Sequence, residues 1–212
     1  MRILSVDFAG AIGQLKQPPP ESAVGALQVA FAGRSNVGKS SLINRLLGRT
    51  RTAIARVSAE PGKTQEINFY QVRSDRGDFV LVDLPGYGYA KVPLALRDRW
   101  RPLIHGWMSR CAELRGVVQL VDVRTGPTED DLRSIAYLAE RRLPALFVLT
   151  KVDKLNRGER EKLIPKAIQK LGVDPDQVIL FSSTKGEGRE ELLETLGSLL
   201  FPTGEGEEGE AP

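Results

Sequence analysis

The stretch GRSNVGKSS, from Gly33 to Ser41, decides which fold this chain can adopt. It has the spacing G-x-x-x-x-G-K-[ST], which is typical of a loop that binds phosphate groups. Gly33 and Gly38 permit tight turns, so that successive backbone N–H groups can converge on phosphate oxygens. Lys39 supplies a positive charge to the β- and γ-phosphates, and Ser40 supplies a hydroxyl ligand for Mg²⁺. We predict that the whole loop contacts the phosphates, through Gly33, Arg34, Ser35, Asn36, Val37, Gly38, Lys39, Ser40 and Ser41.

The residues on either side of this loop predict a strand before it and a helix after it. Residues 26–32 read ALQVAFA, a short apolar run that is typical of a buried strand. In SLINRLL, residues 41–47, the apolar side chains recur at helical spacing. Strand, loop and helix in this order place bound phosphates at a helix N-terminus. A plain glycine turn is the alternative, and the flanking pattern disfavours it.

Apolar strand candidates alternate with helix candidates along the rest of the chain. After an edge strand predicted at 3–8, we predict strands at 27–32, 67–72, 79–84, 117–123, 145–149 and 178–181. Helices are predicted at 39–47, around 93–114, and at 129–141, 158–171 and 189–200. Only residues 73–78 separate the second and third of the six strands, which predicts an antiparallel hairpin. The other connections imply right-handed crossovers. The expected fold is therefore α/β, with three layers and a mostly parallel six-stranded sheet that has one antiparallel edge strand.

Composition limits the class of protein to which this chain can belong. The single cysteine, Cys111, excludes an internal disulfide, and we find neither a signal peptide nor an apolar run long enough to span a membrane. We expect a cytoplasmic protein with an N-terminal extension at 1–23, one domain at 24–201 and a disordered acidic tail at 202–212. The formal net charge is +3, and four glutamates lie in the tail, so the remainder carries +7. A basic body is compatible with RNA binding, but a solvated arginine-rich surface explains it equally well.

Four more motifs follow the phosphate loop in the order that a guanine nucleotide site requires. The first is PGKT, residues 61–64, in which Thr64 is the natural second Mg²⁺ hydroxyl and Gly62 and Lys63 accompany it. The second is DLPG at the end of an apolar strand. There Asp83 can hold the Mg²⁺ shell and the Gly86 N–H can contact the γ-phosphate, with Leu84 and Pro85 between them.

The third motif, TKVD, identifies the base. Asp153 can accept both hydrogen bonds from the N1–H and N2–H₂ edge of guanine, which adenine lacks. Lys151 can lay its aliphatic stem along the purine, and Val152 separates the two. Guanine-binding proteins usually have Asn where Thr150 stands, so we expect one tie to the phosphate loop to be weaker. Phe181, Ser182 and Ser183, after the next strand, can offer backbone N–H groups to guanine O6. These motifs predict a P-loop G domain that binds GTP or GDP with Mg²⁺ held by Ser40, Thr64 and Asp83.

The run DLPGYGYAKV, residues 83–92, resembles the bacterial ribosome-biogenesis GTP-binding proteins of the EngB/YihA type. GRSNVGKSSLIN, PGKTQEINFY, LVDVR and RDRWR add to this resemblance, which extends from about residue 24 to residue 201. It implies a GTP/GDP switch in assembly of the large ribosomal subunit, whose loss affects growth or septation. The implied partners are the large subunit and its rRNA. We expect a monomeric protein that binds neither DNA nor a membrane.

The residue after DLPG bears on catalysis. In Ras-like hydrolases a glutamine at this position orients the attacking water, whereas Tyr87 has no amide. We therefore expect slow intrinsic hydrolysis, with Lys39, Thr64, Gly86 and Asn36 as the catalytic set. Asn36 matches an asparagine that helps bind a monovalent cation in related GTPases, so K⁺ binding is a hypothesis. Its alternative is an Asn that only hydrogen-bonds the adjoining loop.

Aromatic and basic residues follow the switch glycine and suggest a surface that stacks on and neutralises RNA. They are Tyr87, Tyr89, Lys91, Arg97, Arg99, Trp100, Arg101 and Trp107. For the two tryptophans we favour a buried helical face, and for His105 a position at the surface or the core edge. Three alternatives remain for the whole protein: a non-hydrolysing GTP-gated binding module, a P-loop kinase or ATPase, and a septin-like scaffold.

Overall fold

A computed structural model describes residues 1–14, 16–55, 66–87 and 102–202. Its strands are β1 (Ile3–Ile12), β2 (Gln28–Gly33), β3 (Ile67–Ser74), β4 (Gly77–Asp83), β5 (Leu114–Asp122), β6 (Ala145–Thr150) and β7 (Val178–Phe181). Its helices are α1 (Lys39–Leu46), α2 (102–108 in the described part), α3 (Glu129–Glu140), α4 (Arg157–Leu171) and α5 (Arg189–Leu200). The alternation of strands and helices confirms the α/β class.

The seven strands form one sheet in the order β1-β3-β4-β2-β5-β6-β7. β2, β4, β5, β6 and β7 are parallel, and β3 is antiparallel to both β4 and β1. The predicted hairpin of β3 and β4 is confirmed. The sheet has a seventh strand because β1 pairs along the outer side of β3, so the antiparallel strand is next to the edge rather than at it.

Successive side chains of β2 point to opposite faces of the sheet. Val29 and Phe31 pack with α1 and α5, whereas Ala30 and Ala32 pack with α2 and α3. α4 covers β6 and β7 on the second of these faces, together with Ile135 of α3. Because the sheet is covered on both sides, its central strands are almost wholly buried, as expected for parallel strands.

The chain departs from the predicted elements at two places. The helix expected around 93–114 is helical at 102–108 and is followed by a turn, in which the Arg110 N–H donates to Trp107 O at 3.0 Å, before β5 begins at Leu114. Residues 93–101 lie outside the described residues. Trp107 is buried against Phe69, as predicted for that face, and His105 is half-buried and stacks on Tyr137 at 3.7 Å between ring centres. The acidic tail from residue 203 onwards is also outside the described part.

Candidate nucleotide-binding site

The phosphate loop connects β2 to α1, as its flanks predict. Gly38, directly before α1, has φ 103°, a left-handed conformation in which only glycine is free of strain. Asn36 is also left-handed, with φ 64°, which Asn tolerates better than most residues. The loop therefore turns sharply twice before the helix begins, which brings its N–H groups towards the helix N-terminus.

Lys39 and Asp83 form a buried pair of opposite charges in the site. The Lys39 Nζ donates to Asp83 Oδ1, and the two residues are 8% and 3% exposed. A buried charge is stable only when it is paired, so each of these groups balances the other here. Lys39 lies at the start of α1, and Asp83 lies at the end of β4. A phosphate for Lys39 and Mg²⁺ for Asp83 are the chemically matched alternative partners.

Gly86 lies against the phosphate loop without room for a side chain. A Cβ added at Gly86 would be 2.9 Å from Ser35 Oγ and 3.1 Å from Ser35 Cα. The Ser35 hydroxyl donates to Gly86 O at 3.2 Å. The Asp83–Gly86 loop and the phosphate loop are thus in direct contact.

Thr150 hydrogen-bonds the phosphate loop at the point where we expected the connection to be weaker than with Asn. Its hydroxyl donates to Val37 O in the phosphate loop at 2.7 Å, and Val121 O lies farther away at 3.2 Å. A hydroxyl has one proton where an asparagine amide has two, so Thr150 can make one full hydrogen bond of this kind. That proton goes to the phosphate loop, so Thr150 connects the two loops by one hydrogen bond.

Lys151 adds a second connection between the guanine motif and the phosphate loop. It is left-handed, with φ 64°, and its Nζ donates to Asn36 O at 2.6 Å and lies 3.0 Å from Asp122 Oδ2. Burial would raise the pKa of the Asp122 carboxyl, but hydrogen bonds from Arg124 and Lys151 outweigh it and lower this pKa below its usual range. Lys151 therefore bridges two loops with its charged end.

Asp153 is held by hydroxyl groups from the loop after β7. The Ser182 Oγ donates to Asp153 Oδ1 at 2.8 Å, and Thr184 also hydrogen-bonds this carboxylate. Burial would raise the pKa of Asp153, but these hydrogen bonds outweigh it and keep the pKa below its ordinary value. Asp153 is thus an ionised acceptor at neutral pH. The neighbouring Val152 and Phe181 are fully buried, so Phe181 has only its backbone to offer a ligand.

A cavity of about 210 Å³ lies beside the phosphate loop. Residues 34–37 form one wall, and Asp122, Asp131 and Lys151 form part of the other. Ser40 and Ser41 begin α1 next to Lys39. The structure thus brings together the phosphate loop, the Asp83–Gly86 loop and both guanine motifs at the carboxyl edge of the parallel strands, where α/β proteins bind ligands.

The predicted switch residues Gly62, Lys63 and Thr64 lie outside the described residues. So do Tyr89, Lys91, Arg97, Arg99, Trp100 and Arg101 of the aromatic, basic surface. Within the part of the chain that the structure describes, no group of three or more His, Cys, Asp or Glu side chains is suited to a metal ion. One carboxylate and one hydroxyl nevertheless fit Mg²⁺, which keeps several waters and binds nucleotide phosphates alongside few protein ligands.

Comparison with known proteins establishes the family. A model of the 50S ribosome-binding GTPase family matches residues 28–151, more than half of the chain. The probable GTP-binding protein EngB of Gemmatimonas aurantiaca is 42% identical over 200 residues, which cover 94% of this chain and 95% of that protein. The chain belongs to the EngB family of GTP-binding proteins. The probable EngB of Geotalea daltonii is 39% identical over 212 residues, covering 100% of this chain and 99% of its own.

Solved structures agree with the EngB assignment. The crystal structure of a probable GTP-binding protein EngB is similar with a TM-score of 0.64 at 25% identity, covering 82% of this chain and 98% of that one. Era of Aquifex aeolicus has a TM-score of 0.66 at 24% identity, which shows a shared fold. The resemblance stated from the sequence is confirmed, and the protein is a GTP-binding member of the P-loop GTPases. No helix in the described ranges could cross a membrane.

Sequence reasoning missed the arginines that support the EngB guanine loops. Arg45 of α1 donates to Ser183 O at 2.7 Å and also to Thr184 O. Arg160 of α4 holds Glu187 with two hydrogen bonds of 2.9 and 2.8 Å and donates to Val152 O. Arg45 is 138 residues from Ser183 and Arg160 is 27 residues from Glu187, so no local pattern reveals these contacts and only the fold brings the partners together.

Proposed function

We propose that this EngB-family protein hydrolyses GTP and acts as a nucleotide-gated switch in assembly of the large ribosomal subunit, with a role in normal cell division and septation. The observation that carries the proposal is the direct contact between the Asp83–Gly86 loop and the phosphate loop at Gly86 and Ser35. A γ-phosphate between these loops would alter the position of one of them. The name of the matched family, 50S ribosome-binding GTPase, supports the ribosomal setting.

The buried Lys39–Asp83 pair suggests how nucleotide and metal enter the site. Lys39 would turn from Asp83 to the β- and γ-phosphates, and Mg²⁺ would take its place beside Asp83. Ser40, Asp83 and Thr64 would hold the ion, and the ion would neutralise charge on the phosphates. The exchange leaves no buried charge without a partner, which favours binding of nucleotide and metal together.

Hydrolysis is proposed to be slow without a partner. Tyr87 has no amide to orient water, so another group must complete the site. The alternative is a GTP-gated binding module that does not hydrolyse GTP. Single-turnover GTP assays with and without large-subunit particles separate the two: the proposed enzyme turns over faster with particles, whereas the same negligible turnover in both conditions supports the module.

K⁺ is proposed as an activating ion at Asn36. Comparing turnover in potassium and sodium buffers tests this for the wild type, Asn36→Ala and Asn36→Gly. The glycine variant removes the amide without adding strain at the left-handed φ of 64°. We expect K⁺ stimulation in the wild type alone. Equal rates in both buffers for all three proteins would exclude a cation role.

Ribosome binding is the proposed output of the switch. The large subunit and its rRNA are the proposed partners, in the cytoplasm and with the protein as a monomer. Sedimentation with ribosomal subunits in GTP-analogue, GDP and nucleotide-free conditions tests it. We expect co-sedimentation with the large subunit in the GTP-analogue condition and less with GDP. Binding that is the same in all three conditions would contradict a switch, and light scattering that rises with GTP would favour a septin-like scaffold.

A further inference from the structure

The backbone of Tyr87 is paired with the phosphate loop. Its N–H donates to Gly33 O at 3.3 Å, and the Ser35 N–H donates to Tyr87 O at 2.9 Å. These bonds form a parallel bridge between Arg34 and Tyr87, just beyond the paired strands β2 and β4. The residue after Gly86 is therefore fixed to the loop that holds phosphate.

The side chain of Tyr87 reaches helix α3. Its hydroxyl donates to Asp131 Oδ1 at 2.8 Å and accepts a hydrogen bond from the Gln119 amide. Asp131 and Gln119 are 1% and 0% exposed. The Ser134 hydroxyl donates to Gln119 Oε1 at 3.0 Å, and Thr128 donates to Asp131 Oδ2 from its N–H at 2.8 Å and from its hydroxyl at 2.7 Å.

This network keeps the Tyr87 phenol as a fixed donor. Burial and the neighbouring Asp131 carboxylate both disfavour the phenolate, so the pKa of Tyr87 is raised far above its usual value. Without the hydroxyl, Asp131 Oδ1 and one Gln119 N–H would lose a partner in a place that solvent hardly reaches. Leaving such groups unpaired costs more than the hydrogen bond itself gains.

The loop that carries Gly86 is thus anchored at both ends. At its first end the loop continues directly from β4, and the Leu84 N–H donates to Phe31 O of β2 at 3.1 Å. Tyr87 fixes the other end to α3. A peptide restrained on both sides keeps its N–H in one place, which is the condition for a strong contact with a ligand.

We propose that Tyr87 is a positioning residue for γ-phosphate recognition: its hydroxyl, anchored on Asp131, holds the Gly86 peptide where its N–H can meet the γ-phosphate of GTP. This rests on the proposed GTP switch and deepens it. Tyr87 acts through Gly86 and does not touch the nucleotide. The side chain after Asp83-x-x-Gly86 thereby has a task other than orienting water.

The test compares binding of GDP and of a non-hydrolysable GTP analogue by wild type, Tyr87→Phe and Thr128→Ala. Tyr87→Phe removes only the hydroxyl. Thr128→Ala is the matched control, because it removes one hydrogen bond to Asp131 Oδ2 and leaves the bond between Tyr87 and Oδ1 intact. We expect Tyr87→Phe to lower the affinity for the GTP analogue by about fivefold to tenfold, which is the effect of roughly one net hydrogen bond. The affinity for GDP should be unchanged.

The ratio of the two affinities is the decisive readout. A purely structural role would lower the unfolding midpoint of Tyr87→Phe and leave its ratio at the wild-type value, and that result would overturn the proposal. Thr128→Ala should keep the ratio, and a ratio shifted as far as in Tyr87→Phe would also overturn it. If Tyr87→Phe does not fold, Asp131→Ala, which removes the acceptor of the Tyr87 hydroxyl, should shift the ratio in the same direction, and an unchanged ratio contradicts the anchor. A failure of the proposed ribosomal role would be a separate result. It would appear in the sedimentation of the wild type with ribosomal subunits, and it would not change the ratio of nucleotide affinities.

Discussion

Ser182 holds the Asp153 carboxylate in place, since its hydroxyl donates to Oδ1 at 2.8 Å. The same hydroxyl oxygen accepts from the Lys185 N–H at 3.0 Å. It is therefore oriented by the backbone of the loop after β7. The loop after β7 therefore helps to position the carboxylate that is predicted to read the base.

Replacing Asp153 by Asn should weaken GDP binding by about 2–3 kcal/mol, because an amide N–H would then face a guanine N–H and leave it unpaired. Ser182→Ala is expected to cost only about 1 kcal/mol, since the carboxylate remains and loses one neutral partner. Competition with a fluorescent GDP measures both. Equal losses in the two variants would show that Asp153 is not the group that reads the base.

Cys111 is predicted to be a slow nucleophile. Burial, with the Glu113 carboxylate next in importance, raises the pKa of its thiol to about 11. Alkylation by iodoacetamide at pH 8 should therefore be about a hundredfold slower than for a free cysteine. Glu113→Gln should accelerate it, because a nearby negative charge is removed. Alkylation at the rate of a free thiol would contradict the raised pKa.

At the scale of elements, the loop from β7 to α5 is the most constrained connection of the site. Gly188, directly before α5, has φ 77°, and a Cβ there would lie 2.0 Å from Leu180 O. The loop must pass this close because the Gly186 N–H and the Ser182 N–H both bond within it. Only glycine satisfies both the left-handed backbone and the close approach.

Gly188→Ala should lower the free energy of unfolding by at least about 2 kcal/mol, from left-handed strain and the clash together. Gly172→Ala is the matched control: its φ is 68°, but no atom lies within 4 Å of the added Cβ. That variant should lose only about 1 kcal/mol. Urea unfolding midpoints measure the difference. Similar losses at both positions would mean that the approach to Leu180 relaxes freely.

Elements could be predicted wherever the apolar period was long and uninterrupted. β2 and α1 follow their predicted ranges closely because the phosphate-loop motif separates them. β1 was predicted to end at Phe8 but continues to Ile12, and its pairing with β3 shifts register between Phe8 and Gly10, just beyond the predicted end. α2 was predicted to run too far, because apolar residues such as Leu114 fit either a helix or a strand.

At the scale of the whole molecule, the fold class and the clustering of motifs followed from order along the chain. Parallel strands end at one edge, so motifs after β2, β4, β6 and β7 had to meet. Sequence order could not reveal the side chains that hold the guanine loops by hydrogen bonds, such as Arg45 and Arg160. Their contacts depend on how α1 and α4 rotate against the sheet, which is decided by packing.

Stability should fall at both ends of the pH scale. The lowered pKa values of Asp122, Asp153 and Glu187 mean that the unfolded chain binds protons first as pH falls, so their contribution is complete above about pH 5 and is lost progressively below it. Tyr87 and Cys111 have raised pKa values, so their contribution is complete below about pH 8.5 and falls as pH rises.

Thermal unfolding from pH 2 to pH 11 checks this expectation. The midpoint should be nearly constant between roughly pH 5 and pH 8 and should decline on either side. Tyr87→Phe should show a smaller alkaline decline than the wild type, since phenylalanine does not titrate. An alkaline decline that is identical in the two proteins would contradict the raised pKa of the Tyr87 phenol.

β1 has a consequence for the order in which the protein can form during synthesis. Its neighbour in the sheet is β3, which the ribosome adds only after β2 and α1, so β1 leaves the exit tunnel without a partner. Translation proceeds at about 5–20 residues per second, which leaves the strand unpaired for several seconds. Leu4 and Phe8 stay exposed even in the finished fold. The nascent chain therefore presents an apolar segment of the kind that chaperones bind, before any of the site exists.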